Sequence, residues 1–464
     1  MPILKEKPKP FLVPEYCKGC GRCVSVCVKG CIAFADEINP ATGIIPIVLD
    51  LEKCTGCGLC IDACPEPYGL RAMVQDEAYE LQDPAKLFGA KQSAAPEPVD
   101  IPAQQVALPK TQPLIIKGNY ASAVGALLAG CRHFYGYPIT PSTEGAELMA
   151  KLLPKLNGVF LQAVSEVATV NHMYGTGGAG LPTMTFTSSP GFSLMLEGIS
   201  YMIGAEVPGV FVNVMRGGPG LGNIAPEQSD VKLACRGLGH GHTHCITLMP
   251  STPQEMLDYS MQAFELSFKY RNPVIVLADG YLGQMTGKVQ LPDHMVKAGI
   301  PKWAVYGDRS HRGNLISSIQ LQETDLEKFN AHLEEKYQSM KVEARSESYL
   351  TEDADVLLVA CNTPARAAKG AVKSLRDLGI KAGLFRPITI WPFPSKQLQA
   401  LLPKIKQLVV VEANAGGQIL DELRLNMSQI GVEKLPPITH VRRFGGMLPQ
   451  QTEIVDHVKS ILAK

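Results

Sequence analysis

Cys17, Cys20, Cys23 and Cys27 stand in the run CKGCGRCVSVC, and Cys54, Cys57, Cys60 and Cys64 repeat that spacing in CTGCGLCIDACP. Thiolates separated by two, two and three residues, twice over, match the bacterial pattern that holds two 4Fe–4S clusters, the fourth cysteine of each run ligating the other cluster. One cluster is therefore expected on Cys17, Cys20, Cys23 and Cys64, the other on Cys54, Cys57, Cys60 and Cys27. Gly19, Gly21, Gly56 and Gly58 let the backbone wrap closely around the sulfurs. Structural zinc instead uses separated C-x2-C pairs. Val28 departs from the pattern, since proline usually follows the fourth cysteine, and nearby Cys31 is either an alternative ligand or an extra thiol. Cys131, Cys235, Cys245 and Cys361 are scattered, as buried apolar fillers are. Two clusters without a substrate pocket conduct electrons, so something in the assembly makes or consumes them.

Three further residues stand where chemistry is possible. Glu166 opens a helix directly after the strand VFLQAV, at the carboxyl edge where open α/β sheets bind ligands; taken alone, a helix-start glutamate is explained by the macrodipole. Thr140 and Ser142 lie in PITPSTE at a strand-to-helix turn, where Ser142 suits an N-cap. Arg216 follows a strand in MRGGPGLGN. A loop arginine is ordinarily a solvated charge, whereas a planar guanidinium at a strand edge suits a carboxylate or a phosphate. Other motifs carry less. GTGGAG (175–180) has the glycine spacing of a dinucleotide fingerprint but follows a helix and precedes a strand, so it is expected to be a helix end and turn. HGHTHC (240–245) would send neighbouring side chains to opposite faces, which favours a loop near the site's mouth over a metal site.

The elements that must position these residues alternate strand and helix from 114 to about 290 and again from 354, which predicts doubly wound parallel sheets. The expected organisation is a two-cluster module over 1–82, a Pro- and Ala-rich linker over 83–113, a larger α/β domain over 114–295, a polar, irregular connection over 296–350 and a smaller α/β domain over 351–464. With 464 residues the chain exceeds one core. It is 45% hydrophobic and 19% charged with zero formal net charge, a balance that argues against nucleic-acid and anionic-membrane roles. No apolar run reaches the roughly 18 residues of a membrane span, and MPILKEKPKPF lacks a signal-type apolar stretch. Thirteen cysteines, clustered at ligand spacing, point to metal in a reducing compartment, and a cytoplasmic location is expected.

Five stretches, YGYPITPSTE (135–144), QAVSEVATVNHMYGTGGAG (162–180), TFTSSPGFSLMLEGISYMIGAEVP (185–208), VNVMRGGPGLGNIAPEQSD (212–230) and FRPITIWPFP (385–394), together resemble the α subunit of 2-oxoacid:ferredoxin oxidoreductases. The resemblance covers roughly 114–290 and 350–455. It implies a pyrimidine-binding-type domain followed by a transketolase C-terminal-like domain, with a ferredoxin-like module fused at the N-terminus. It further implies thiamine diphosphate with Mg2+, CoA as co-substrate, and oxidation of a 2-oxoacid to acyl-CoA. By that resemblance Glu166 hydrogen-bonds the aminopyrimidine ring of the cofactor, Thr140 touches the substrate and Arg216 anchors the 2-oxoacid or CoA. DGYLGQ (279–284) resembles the family's diphosphate motif but lacks its GDG start and downstream asparagines. A β subunit is therefore expected to complete the cofactor site, with a γ subunit alongside. RGGPGLGNIAPEQSD is most similar to the branched-chain members; phenylglyoxylate, 2-oxoglutarate and pyruvate stay open as substrates, and ferredoxin or NAD through a flavoprotein as acceptors. A non-catalytic electron-transfer scaffold is the alternative of a different class.

Overall fold

Apolar residues fill both faces of a strand only when helices cover both faces of its sheet, and in Gly209–Met215 and Pro273–Asp279 every residue is buried. They lie inside a seven-stranded sheet in the computed structural model, which describes residues 9–72, 97–311 and 313–463. Two compact units divide the chain, Met1–Ala94 and Ala95–Lys464.

In the larger unit the seven-stranded sheet runs Thr389–Trp391, Ile246–Leu248, Pro273–Asp279, Gly209–Met215, Thr183–Thr187, His133–Gly136, Val159–Gln162. All neighbours pair in parallel except the first strand, which is antiparallel to Ile246–Leu248. From His133–Gly136 the chain steps to the edge strand Val159–Gln162 and then crosses back to Thr183–Thr187. That reversal opens a crevice at the carboxyl ends of these strands. A five-stranded sheet follows in the order Ser346–Tyr349, Ala382–Pro387, Val356–Val359, Gln407–Ala413, Ile438–Arg443. Ser346–Tyr349 is antiparallel to its neighbour and the rest are parallel.

The two sheets are stapled by buried charge. Arg386 donates to Glu255 at 2.6 and 3.0 Å, to Glu347 at 2.8 Å and to Ser251 Oγ at 2.8 Å. This joins a strand of the second sheet to the helix Pro253–Tyr270, which covers the first. Asp279, fully buried, accepts from the Leu282 N–H, the Thr363 N–H and the Thr363 hydroxyl at 2.8 to 2.9 Å.

Several expectations change. Leu114–Lys117 pairs with Thr286–Val289 in a separate ribbon instead of entering the main sheet. Thr389–Trp391 crosses from the second half of the chain to the edge of the first sheet. The stretch expected to be an irregular connection contains the 18-residue helix Glu323–Met340, which buries only Leu333, Tyr337 and Met340; so narrow an apolar stripe leaves a polar sequence. Of the expected linker, 83–96 lies outside the described residues, and Gln104–Ala107 pairs with His294–Lys297.

In the smaller unit two short helices, Arg22–Val26 and Leu59–Ala63, begin at Gly21 and Gly58, both in the left-handed conformation with φ 71 and 80. Each glycine follows the second cysteine of its run and lets the chain fold back around the thiols. Two antiparallel ribbons, Pro10–Leu12 with Leu70–Ala72 and Ile32–Phe34 with Ile47–Leu49, complete it.

Candidate active site and cluster cages

The carboxyl ends of three strands in one half of the seven-stranded sheet, Gly209–Met215, His133–Gly136 and Val159–Gln162, lead into the three predicted residues. Glu166 is the first residue of the helix Glu166–Gly178, whose N-cap Ser165 accepts from the Ala168 N–H at 3.2 Å. Its side chain is not solvated: Glu166 is only 5% exposed. The neighbour that permits this is Gly191, in the first turn of the helix Ser189–Gly204. A methyl group at Gly191 would collide with Glu166 Oε1 and stand 2.5 Å from Thr187 Oγ1. The glycine is a cradle for the carboxylate.

Arg216 overturns the reading of a solvated loop charge, since it is 8% exposed. One guanidinium nitrogen donates to the Thr140 carbonyl at 2.8 Å and another to the Leu221 carbonyl at 3.1 Å, while Nε has no partner. No carboxylate lies within ion-pair distance of it among the described residues. Thr140 itself is exposed, at the turn before the helix Thr143–Leu152. Ser142 occupies the N-cap position but turns its hydroxyl to the Ile139 carbonyl at 2.8 Å, so it tightens the turn without capping. Glu144 holds the same turn from behind, accepting from Lys117, Asn119 and Gln284 at 3.2, 3.1 and 2.7 Å. Burial pushes its carboxyl up, but these donors outweigh burial and hold it below the usual range.

The first turn of Ser189–Gly204 joins the parts. Gly191 touches Glu166, and two residues earlier Ser189 Oγ accepts from the Arg216 N–H at 3.2 Å and donates to Asp230 at 2.5 Å. Asp230 also accepts from Asn213 at 2.9 Å, and burial raises its carboxyl pKa despite these donors. Glu166, Arg216 and the Thr140 carbonyl are thus linked through one helix end. Gly191, Ser189, Asn213 and Asp230 were missed by sequence reasoning; the signal for the first two was SSPG directly after a buried strand, and the other two lie within the stretch VNVMRGGPGLGNIAPEQSD.

Buried polar groups are normally paired, yet Thr187 Oγ1, Ser188 Oγ and Arg216 Nε are buried here without partners. Orphaned donors and acceptors beside a glycine cradle fit the polar ring end of a thiamine cofactor. The diphosphate end finds no such fit. Asp279 of DGYLGQ caps the helix Gly280–Gln284 and has both oxygens engaged by Leu282 and Thr363.

HGHTHC lies in a packed aromatic seam. His244 stacks on Trp391 at 4.6 Å and His242 on Tyr337 at 5.2 Å, while the Tyr337 hydroxyl donates to the His242 carbonyl at 2.8 Å. Burial, with His242 and Arg236 nearby, pulls the His244 pKa down to about 4. GTGGAG ends the helix Glu166–Gly178 and turns into Thr183–Thr187. Cys131, Cys235, Cys245 and Cys361 are fully buried within the core.

In the smaller unit the eight predicted ligands separate into two cages. Cys17, Cys20, Cys23 and Cys64 line one cavity, and Cys27, Cys54, Cys57 and Cys60 line the other. The fourth cysteine of each run thus crosses to the other cage. Two backbone N–H groups point at sulfur: Gly56 to Cys54 Sγ at 3.4 Å and Cys31 to Cys27 Sγ at 3.3 Å. Four predicted ligand thiols around each apolar cavity, with both of these N–H donors in the second, fit a 4Fe–4S cluster.

A family of pyruvate flavodoxin/ferredoxin oxidoreductase thiamine-diphosphate-binding domains matches residues 124–355, and pyruvate:ferredoxin oxidoreductase core domain II matches 354–454. A 4Fe–4S dicluster domain matches 16–67. The ketoisovalerate oxidoreductase subunit VorB of Methanothermobacter marburgensis is 44% identical over 349 residues, 75% of this chain and 97% of that protein. The 2-oxoglutarate synthase subunit KorA of Methanothermobacter thermautotrophicus is 35% identical, over 75% of this chain and 98% of that protein. Among solved structures, the 2-oxoglutarate:ferredoxin oxidoreductase of Magnetococcus marinus with 2-oxoglutarate, coenzyme A and succinyl-CoA bound has a TM-score of 0.67 at 28% identity. That match covers 75% of this chain, and the chain spans 65% of that one.

Proposed function

The chain belongs to the 2-oxoacid:ferredoxin oxidoreductase family, and from that membership we propose that it is the α subunit of a complex that oxidatively decarboxylates a hydrophobic 2-oxoacid. The acceptor of the acyl group is CoA, the products are acyl-CoA and CO2, and the electrons leave through the chain's own two 4Fe–4S clusters.

The observation that carries this reading is a buried Arg216 with no counter-charge among the described residues, tied to the Thr140 carbonyl and joined through Ser189 and Gly191 to a buried Glu166. A buried cation without an anion is costly, and a substrate carboxylate relieves that cost while fixing orientation. When bound, thiamine diphosphate supplies the nucleophilic carbon and the electron sink. Glu166 then holds a proton at the aminopyrimidine. Gly191 keeps its carboxylate in register, and Thr140 faces the substrate. Leu221, whose carbonyl accepts from Arg216, is 82% exposed, and nearby Ile224 is 62% exposed. Two apolar side chains beside the anion site suit a branched substrate, in line with the higher identity to the ketoisovalerate relative.

The diphosphate and Mg2+ are held by a β subunit, because Asp279 is consumed within this chain; a γ subunit and a ferredoxin or flavoprotein acceptor complete the assembly. No helix among the described residues is long and apolar enough to cross a membrane. We assign the complex to the cytoplasm, where thiols stay reduced for cluster assembly. The test is CoA-dependent dye reduction by the purified complex across a panel of 2-oxoacids. The highest kcat/KM is expected for 3-methyl-2-oxobutanoate. A tenfold preference for 2-oxoglutarate or pyruvate contradicts the substrate class, and no reduction with any 2-oxoacid contradicts the enzyme.

A further inference from the structure

The second cage holds one thiol more than a 4Fe–4S cluster uses. Cys31 lines the same cavity as Cys27, Cys54, Cys57 and Cys60. It is 5% exposed and sits in the small hydrophobic core of the module with Ile32 and Ile47. It also touches one particular ligand: its N–H donates to Cys27 Sγ at 3.3 Å. Its main chain is fixed where Ile32–Phe34 begins, the Cys31 carbonyl accepting from the Asp50 N–H at 2.8 Å. Cys27, by contrast, follows the end of the helix Arg22–Val26, and exposed Val28 stands next to it, 83% accessible. The first cage has no counterpart: its lining contains Cys17, Cys20, Cys23 and Cys64 and no fifth cysteine.

We propose that Cys31 is a reserve ligand of the second cluster, able to replace Cys27 on its iron. The exchange is redox-neutral. Were the Fe–S bond to Cys27 to open, a bond from the Cys31 sulfur would take its place, and the proton of the Cys31 thiol would pass to the released Cys27 thiolate. Both residues line one cavity and are already in contact, so the exchange needs no unfolding of the module. The cage would thus retain four-thiolate ligation when the Cys27 linkage opens, which protects the cluster from losing iron.

The experiment uses the full-length chain, purified anaerobically, with iron and sulfide analysis and low-temperature EPR after dithionite reduction. Cys27→Ala is expected to keep about eight iron per chain, as two 4Fe–4S clusters require, with an altered spectrum for one cluster. The double variant Cys27→Ala/Cys31→Ala should fall to about four, as should Cys57→Ala, whose position has no spare thiol. Cys31→Ser should keep about eight but lose iron several-fold faster than wild type under ferricyanide. If Cys27→Ala alone falls to about four iron, or if Cys31→Ser and wild type lose iron at the same rate, the proposal is wrong. The second comparison stands even where Cys27→Ala fails to accumulate.

Discussion

At Glu166 the deciding neighbour is a missing side chain. Gly191 leaves room for the carboxylate between the helix Glu166–Gly178 and the end of Thr183–Thr187, and a methyl group there overlaps Oε1. Gly191→Ala must therefore rotate or displace Glu166. A displacement of about 1 Å in a catalytic group costs on the order of a hundredfold in rate. We expect kcat to fall by that order while the iron content of the complex stays at wild-type level; unchanged kcat means the cradle does not position the carboxylate. Glu166, Thr140 and Arg216 stood out in the sequence through the family-like stretches that contain them, since by residue type alone each has an ordinary structural explanation. Gly191 was not legible, since its contribution is empty space against a residue 25 positions away. Nor was the burial of Arg216, which depends on carbonyls of two loops converging on it.

Among the elements, the strand–helix alternation was readable from continuous apolar runs, but the partners of short strands were not. Thr389–Trp391 has three residues, and only the tertiary fold assigns it to the first sheet. The helix Glu323–Met340 was hidden by its polar composition, and it is held by the seam in which Tyr337, His242, His244 and Trp391 stack. That seam should be acid-sensitive. His244 has its pKa lowered to about 4 by burial first and by His242 and Arg236 next. A histidine depressed below its unfolded value of about 6.5 contributes stability that is complete above that value and lost as pH falls toward 4. From pH 8 to pH 5 the loss is roughly 2 kcal/mol. His244→Phe keeps the stack on Trp391 and removes the titration, so the drop in thermal midpoint between pH 8 and pH 5 should shrink relative to wild type. An equal drop in both proteins contradicts the assignment.

For the whole molecule, the chain carries an electron outlet and, on the proposed reading, half of a cofactor site, which makes assembly a requirement of the proposed activity. Exposed apolar side chains gather on the elements around Glu166: Val164 is 87% exposed, Val167 44% and Leu194 53%. Exposed apolar groups of this kind mark contact surfaces. Val164→Glu is expected to abolish co-purification with the β subunit while the single chain keeps both clusters; normal assembly would move the contact elsewhere. The cluster module was the most legible part of the chain, because ligand spacing alone predicts the crossed cages. The proposed contribution of a partner was legible only as the absence of a diphosphate motif.

Glu166 is the most direct test of the account. Glu166→Gln preserves shape and removes the carboxyl group proposed to hold the proton at the aminopyrimidine, assistance commonly worth about a hundredfold to ten-thousandfold. The assembled variant complex, loaded with thiamine diphosphate and without substrate, is quenched at intervals in D2O, and exchange of the thiazolium C2 proton is followed by NMR. The account predicts exchange slowed by that order, with iron content and cofactor affinity unchanged. Exchange at the wild-type rate would make Glu166 a helix-end carboxylate and remove the active site from this crevice.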